Sequence, residues 1–163
     1  DIAHIGANPQ FDIDFHIPTR RRQGFEQALA DAGIPHRPAL YEPADFTIEG
    51  GFRAAKQLLG RPGERPTAIF AANYGMAIGV LMWMKNNGLH LPTDLSLISF
   101  DDVPLFRLHE PGITAIAQPI NGIADSIANL LVARLGPGEP RPIRSITLGC
   151  DIILRGSTGR PPR

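Results

Sequence analysis

The chain has 163 residues, of which 43% are hydrophobic and 20% charged, and sixteen Lys and Arg balance sixteen Asp and Glu. That composition excludes a disordered chain, and no run of about 18 apolar residues marks a transmembrane helix. Zero net charge argues against a DNA-binding surface within these residues, since phosphate neutralisation needs clustered Lys and Arg, and the single Cys150 excludes an internal disulfide.

Taken in chain order, Asp1–Gly6 reads as a buried strand with no leading loop. Such a start is expected of a cut inside a longer polypeptide, with a processed mature chain as the alternative. Asn8 to Pro18 is a polar and aromatic loop. Thr19 is a candidate cap for a helix over about 20–32, with Phe25, Ala28, Leu29 and Ala32 on one stripe. Gly33 is placed to end it. A short strand is expected near Ala39–Tyr41. Thr47 caps a second helix with Phe52, Ala55, Leu58 and Leu59 inward. Thr67–Ala72 is an apolar strand, and a third helix over about 75–87 stops at Gly88. Leu95–Phe100 is another buried strand. Asp101 to Gly112 is a loop with room for one helical turn. Thr114–Ala117 is a short strand, and Pro119 suits the first turn of a fourth helix over 119–135. Gly136-Pro137-Gly138 ends that helix. Ser145–Leu148 and Asp151–Arg155 read as strands, and residues 159–163 are expected to fray.

This alternation predicts an α/β fold: a doubly wound, mostly parallel sheet with helices on both faces. Ligands of such sheets sit beyond the carboxyl ends of the strands. That selects the loops Asn8–Pro18, Pro43–Thr47, Asn73–Gly75 and Asp101–Pro104.

No phosphate loop, dinucleotide fingerprint or nucleophile elbow is present. The five histidines do not pair at metal-ligand spacing, so no metal and no cofactor is implied. His4 reads as a core or sheet-edge residue. Asp101-Asp102, directly after a strand, admits three readings: a phosphatase-type Mg²⁺ pair, a turn cap beside a solvated carboxylate, or an acceptor for a polar ligand. Arg20-Arg21-Arg22 opens a helix, where cations oppose the macrodipole. An anionic partner there, Asp101 or a ligand, would relieve this. Phe46 is either packing or a stacking ring, and Asn73 either a turn residue or a ligand-binding amide. Together Arg, Phe, Asn and Asp at one rim are what a sugar or similar polyol site requires.

The segment Pro66-Thr67-Ala68-Ile69-Phe70-Ala71-Ala72-Asn73 with Met76-Ala77-Ile78-Gly79 resembles the core of LacI/GalR-type transcriptional regulators. So do Gly88–Pro104, the junction Ile113–Ile120, the ending Leu154-Arg155-Gly156-Ser157-Thr158, and Arg21-Arg22-Gln23-Gly24-Phe25 near the start. The resemblance implies a periplasmic-binding-protein-like (type I) effector domain, of which this chain covers the second lobe. Residues 1–117 would form that lobe, 118–143 a crossover helix belonging to the first lobe, and 144–163 the return strands. The helix-turn-helix headpiece and most of the first lobe would lie outside. The family's effector residues map onto Arg21, Phe46, Asn73 and Asp101. Tyr74 departs from the pattern, standing where Asp commonly follows that Asn; Asn8, Phe15 and His16 are possible further contacts.

The resemblance also implies a homodimer through Ile78, Leu81, Met82, Phe106, Leu108 and His109. The third helix, apolar nearly all round, fits burial by the sheet on one side and a partner on the other. The function the resemblance implies is sensing an effector, expected to be a sugar or related polyol, in a cytoplasmic DNA-binding regulator, with operator contact made elsewhere and no enzyme activity or membrane partner. A periplasmic sugar-binding protein of the same fold is the alternative. The apolar stripe of helix 119–135 is expected to need a partner: another molecule, a swap, or poor order.

Overall fold

The computed structural model describes residues 1–8, 17–63, 65–136 and 142–161. Six strands form one sheet in the order β2-β1-β3-β4-β5-β6. They are β1 (Ile2–Ala7), β2 (Tyr41–Ala44), β3 (Ala68–Ala71), β4 (Ser96–Phe100), β5 (Thr114–Ala117) and β6 (Asp151–Ile153). The first five are parallel, and β6 runs antiparallel along β5. The helices are α1 (Ile17–Asp31), α2 (Ile48–Leu59), α3 (Tyr74–Asn86), α4 (Pro104–Leu108) and α5 (Ile120–Leu135). The strand order reverses between β1 and β3, where an open parallel sheet splays into a crevice.

Side-chain alternation sends successive strand residues to opposite faces. Ala3, Ile5, Ile69, Ala71, Leu97 and Ala115 join the buried residues of α2 and α3 in the main core. The opposite face carries His4 and Phe70, which pack against Phe25 of α1. Helices thus cover both faces, as the alternation predicts. His4 is 1% exposed. It sits among Phe25, Tyr41 and Phe70, and neither ring nitrogen finds a hydrogen-bond partner among the described residues.

Local chemistry sets the helix ends. The Thr47 hydroxyl accepts from the Gly50 N–H at 2.9 Å and starts α2, as expected. Gly33 ends α1 at φ +65°, with the Ile34 N–H reaching back to the Leu29 carbonyl and the Gly33 N–H to that of Ala30. Gly88 stops α3 at φ +67°. The α2–α3 contact is a backbone contact: a Cβ on Gly51 would overlap the Met76 main chain, and one on Gly79 the Ile48 and Phe52 main chain.

Four expectations are corrected. Thr19 is not the cap of α1, which begins two residues earlier at Ile17; Pro18 in the first turn already has a helical φ and no N–H to satisfy. The strand placed at Ala39–Tyr41 is a 3-10 turn over Pro38–Leu40, and the strand starts only at Tyr41. Ser145–Leu148 forms no strand and lies exposed. The tail does not fray at Gly159, whose N–H donates to Ser96 Oγ at 3.1 Å. Ser157 behind it is fully buried, donates to the Leu97 carbonyl at 2.6 Å and accepts from the Thr114 N–H. Pro137, Gly138, Pro162 and Arg163 lie outside the described residues.

Helix α5 is regular, and none of its residues is buried. Ile120, Ile127, Leu131 and Leu135 stand open along it in the single chain.

Candidate functional site

Four of the expected site residues lie at the carboxyl ends of the strands or at the start of α1, and they form two pairs. Arg21 and Asp101 make the first. Arg21 Nη1 donates to the Ala72 carbonyl, at the end of β3, at 2.5 Å. Its guanidinium also lies 3.7 Å over the Phe100 ring. These contacts answer the unfavourable position of a cation at a helix N-terminus with a carbonyl and a ring, where an anion had been expected. Burial lowers the Arg21 pKa from its ordinary value, and the charge of Asp101 opposes that shift. Asp101 takes the left-handed conformation at φ +72°. Its N–H donates to the Ile116 carbonyl at 2.9 Å, and its Oδ1 accepts from Gln118 Nε2 at 2.5 Å.

Phe46 and Asn73 make the second pair. Asn73 caps α3, its Oδ1 accepting from the Met76 N–H at 2.8 Å, and its Nδ2 donates to the Phe46 carbonyl at 3.0 Å. One lone pair and one N–H of that amide are left for a ligand. Phe46 also has positive φ, +63°, and its half-buried ring packs on the main core. A loop aromatic held in this way has little freedom to drift from the rim. Phe15 and His16 lie outside the described residues, and the Asn8 N–H is bonded to the Ala44 carbonyl.

A groove of about 720 Å³ opens beside the first pair. Arg20, Arg21, Phe100 and Gln118 line it, with Ile123 and Ile127 of α5 and Cys150 opposite. Gln118 is a residue that sequence reasoning missed. Its partner Asp101 is seventeen positions away, and the two meet only because β4 and β5 are neighbours.

Asp102 is also placed differently from two readings of the Asp101-Asp102 pair, the Mg²⁺ pair and the turn cap beside a solvated carboxylate. It neither caps α4, whose first position follows Val103 without a side-chain bond, nor stands in solvent. Arg155 grips it with two parallel hydrogen bonds of 2.8 Å, with side-chain exposures of 14% and 9%. Those bonds hold its pKa below the usual carboxylate range. The two carboxylates have separate partners, Gln118 and Arg155, so they do not face a common ligand as a Mg²⁺ pair would. Among the described residues no cluster of three His, Cys, Asp or Glu could hold a metal ion.

On the far side of the sheet, α3 and α4 form a second surface. Met82 is 49% exposed and Leu108 81%. Ile78, Leu81 and His109 are half-buried, and His109 Nδ1 lies 2.8 Å from the Pro111 carbonyl. Together they line a groove of about 530 Å³. Phe106 corrects the expected interface: it is fully buried in the core and offers nothing to a partner. In a helix as short as α4 one side must face the sheet, and Phe106 is on that side.

Residues 1–158 match the periplasmic binding protein-like domain family. The chain is 39% identical over 142 residues to the HTH-type transcriptional repressor CytR of Escherichia coli, an alignment covering 87% of this chain and 41% of the repressor. It therefore spans less than half the length of that relative. A regulatory protein of the LacI family from Chloroflexus aggregans superposes with a TM-score of 0.84 at 31% identity, over 97% of this chain and 55% of the other. A LacI family transcriptional regulator from Enterococcus faecium with bound ribose superposes with a TM-score of 0.78 at 28% identity, over 96% and 56%. These relatives are regulators, which favours that reading over a periplasmic solute carrier, and among the described residues no helix is long and apolar enough to cross a membrane. The chain belongs to the periplasmic binding protein-like domain family and is homologous to the LacI-type transcriptional repressors.

Proposed function

We propose that this chain is the effector-sensing part of a DNA-binding transcription regulator, working in the cytoplasm as a homodimer and as a binding module rather than an enzyme. Residues 1–117 and 144–163 make the second lobe of the sensor. Residues 118–143 cross to a first lobe, and operator DNA is contacted by a helix-turn-helix outside these 163 residues. The effector is a sugar or related polyol. Arg21 and Asp101 bond its hydroxyls, Asn73 adds its free amide valences, and Phe46 covers its apolar face. Effector bridging the lobes favours one relative orientation of them, and the dimer passes that preference to the DNA-binding ends. The coupling between the two sites is of the order of 1–3 kcal/mol.

The observation that carries this reading is that Arg21 of α1 reaches the carboxyl end of β3, next to Asp101 at the end of the adjacent parallel strand β4, with Arg21 and Gln118, the partner of Asp101, lining an open groove. The test is operator binding by the full-length regulator, titrated with sugars beginning with ribose. Asp101→Ala should leave operator affinity without sugar unchanged and remove the sugar-dependent shift, about 5-fold or more in the parent. A shift that survives in Asp101→Ala overturns the assignment.

A further inference from the structure

We propose that Arg155 is a positioning residue for the effector carboxylate: its ion pair with Asp102 holds the main-chain kink that sets Asp101 beside the groove. The inference rests on the reading of Asp101 as an effector ligand.

Asp101 is the point at issue because its backbone is strained. A residue with a Cβ enters the left-handed region at a cost, and Asp bears it better than most. Such a conformation persists when the surroundings over-determine it. On one side the surroundings are β5: the Ile116 carbonyl takes the Asp101 N–H, and the Gln118 amide takes its Oδ1. On the other side Asp101 continues directly into Asp102, and Asp102 is fixed by Arg155.

The Arg155 fork reaches both carboxylate oxygens, Nη1 to Oδ1 and Nη2 to Oδ2. Nη1 also donates to the Ile113 carbonyl at 2.6 Å, so the same head group ties the end of β4 to the start of β5. Arg155 is itself anchored. Its N–H donates to Thr114 Oγ1 at 3.0 Å, and that hydroxyl donates back to the Arg155 carbonyl at 3.2 Å. Lysine cannot reproduce this, having one compact charge where the site uses a planar fork. Arg107, the other cation near Asp102, is exposed and 3.4 Å away, so it cannot take over the role.

A simple staple would hold the C-terminal segment to the sheet and leave Asp101 indifferent. The two roles separate in ¹⁵N-labelled chains of the parent, Arg155→Lys and Asp102→Asn. The Asn variant keeps the shape and two hydrogen-bonding groups, so it preserves the fold if the lysine variant does not. We expect the Asp101 amide and the Gln118 side-chain amide to shift in both variants, and Asp101 amide exchange to quicken at least 10-fold. Leu58 and Trp83 in the α2–α3 core should stay unmoved. Ribose, the probe, should bind full-length regulators carrying either change at least 10-fold more weakly than the full-length parent. Unmoved Asp101 and Gln118 signals in a folded variant overturn the positioning role. Ribose that fails to bind the full-length parent regulator overturns the ribose reading of the site, while the amide signals still decide the role of Arg155.

Discussion

Arg21 has exchanged much of its water for a carbonyl and an aromatic face, and His4 has given up its water for nothing polar at all. The His4 imidazole is therefore held neutral: burial chiefly, and the nearby Arg22 charge secondly, lower its pKa from 6.5 to about 4. The unfolded chain binds a proton between those values and the folded chain does not. Stability contributed by keeping His4 neutral is thus complete above pH 6.5 and is lost as the pH falls toward 4. At about 1.4 kcal/mol per pKa unit, the full loss is about 3–4 kcal/mol. Urea unfolding at pH 7 and pH 4.5 should show about 2 kcal/mol more acid destabilisation in the parent than in His4→Phe. Equal losses would mean that the ring is hydrated or paired in solution. Asp102 has the same sign in a lower window, since its depressed pKa protects the fold until the pH drops below the ordinary carboxylate range. The burial of His4 was readable from its place in an apolar strand. The grip of Arg155 on Asp102 was not, because fifty-three residues separate them and neither side of the pair has a local signal.

At the scale of elements, α2 and α3 meet along their main chains because Gly51 and Gly79 remove the side chains between them. Two effects compete in Gly51→Ala. Helix propensity favours alanine by about 1 kcal/mol, but the new methyl meets the Met76 backbone, which cannot swing aside. Overpacking costs about 1–3 kcal/mol, and a clash with fixed backbone lies at the upper end, so the expected net change is a loss of about 2 kcal/mol. Gly24→Ala in α1 is the control. Nothing lies within 4 Å of its added carbon, and it should stabilise by up to about 1 kcal/mol. Denaturant midpoints moving in the same direction for both would sink the packing argument. The sequence could not distinguish these two glycines, since both interrupt a helical pattern in the same way. What it did reveal was each helix that ends on a chemical signal, such as Thr47 before α2 or Gly88 after α3. It misplaced the start of α1, where a hydroxyl and a proline both fit and the proline prevailed.

At the scale of the whole molecule, the α3–α4 surface and the stripe of α5 are among the apolar surfaces that the described residues leave uncovered. The α3–α4 surface, with Met82 and Leu108 at its centre, is the proposed seat of the dimer axis. Met82→Glu with Leu108→Glu should convert a sedimenting dimer to a folded monomer, because both side chains face water in the single chain and neither is part of its core. A parent that sediments as monomer at high concentration would remove the dimer from the proposal. The second surface is the stripe of α5. In the proposed division of the chain it belongs to the other lobe. The strands on either side of α5 are neighbours in the sheet. Ala117 and Asp151 are register partners in the antiparallel pair β5–β6. Their Cα atoms are about 5 Å apart, the spacing of any antiparallel neighbours. Seen from the sheet, then, α5 is an excursion within the single connection between two neighbouring antiparallel strands. The chain leaves and re-enters the sheet through adjacent doors, and Gln118, just outside them, is bonded to Asp101 beyond β4, so the helical excursion touches the sheet first at the candidate site.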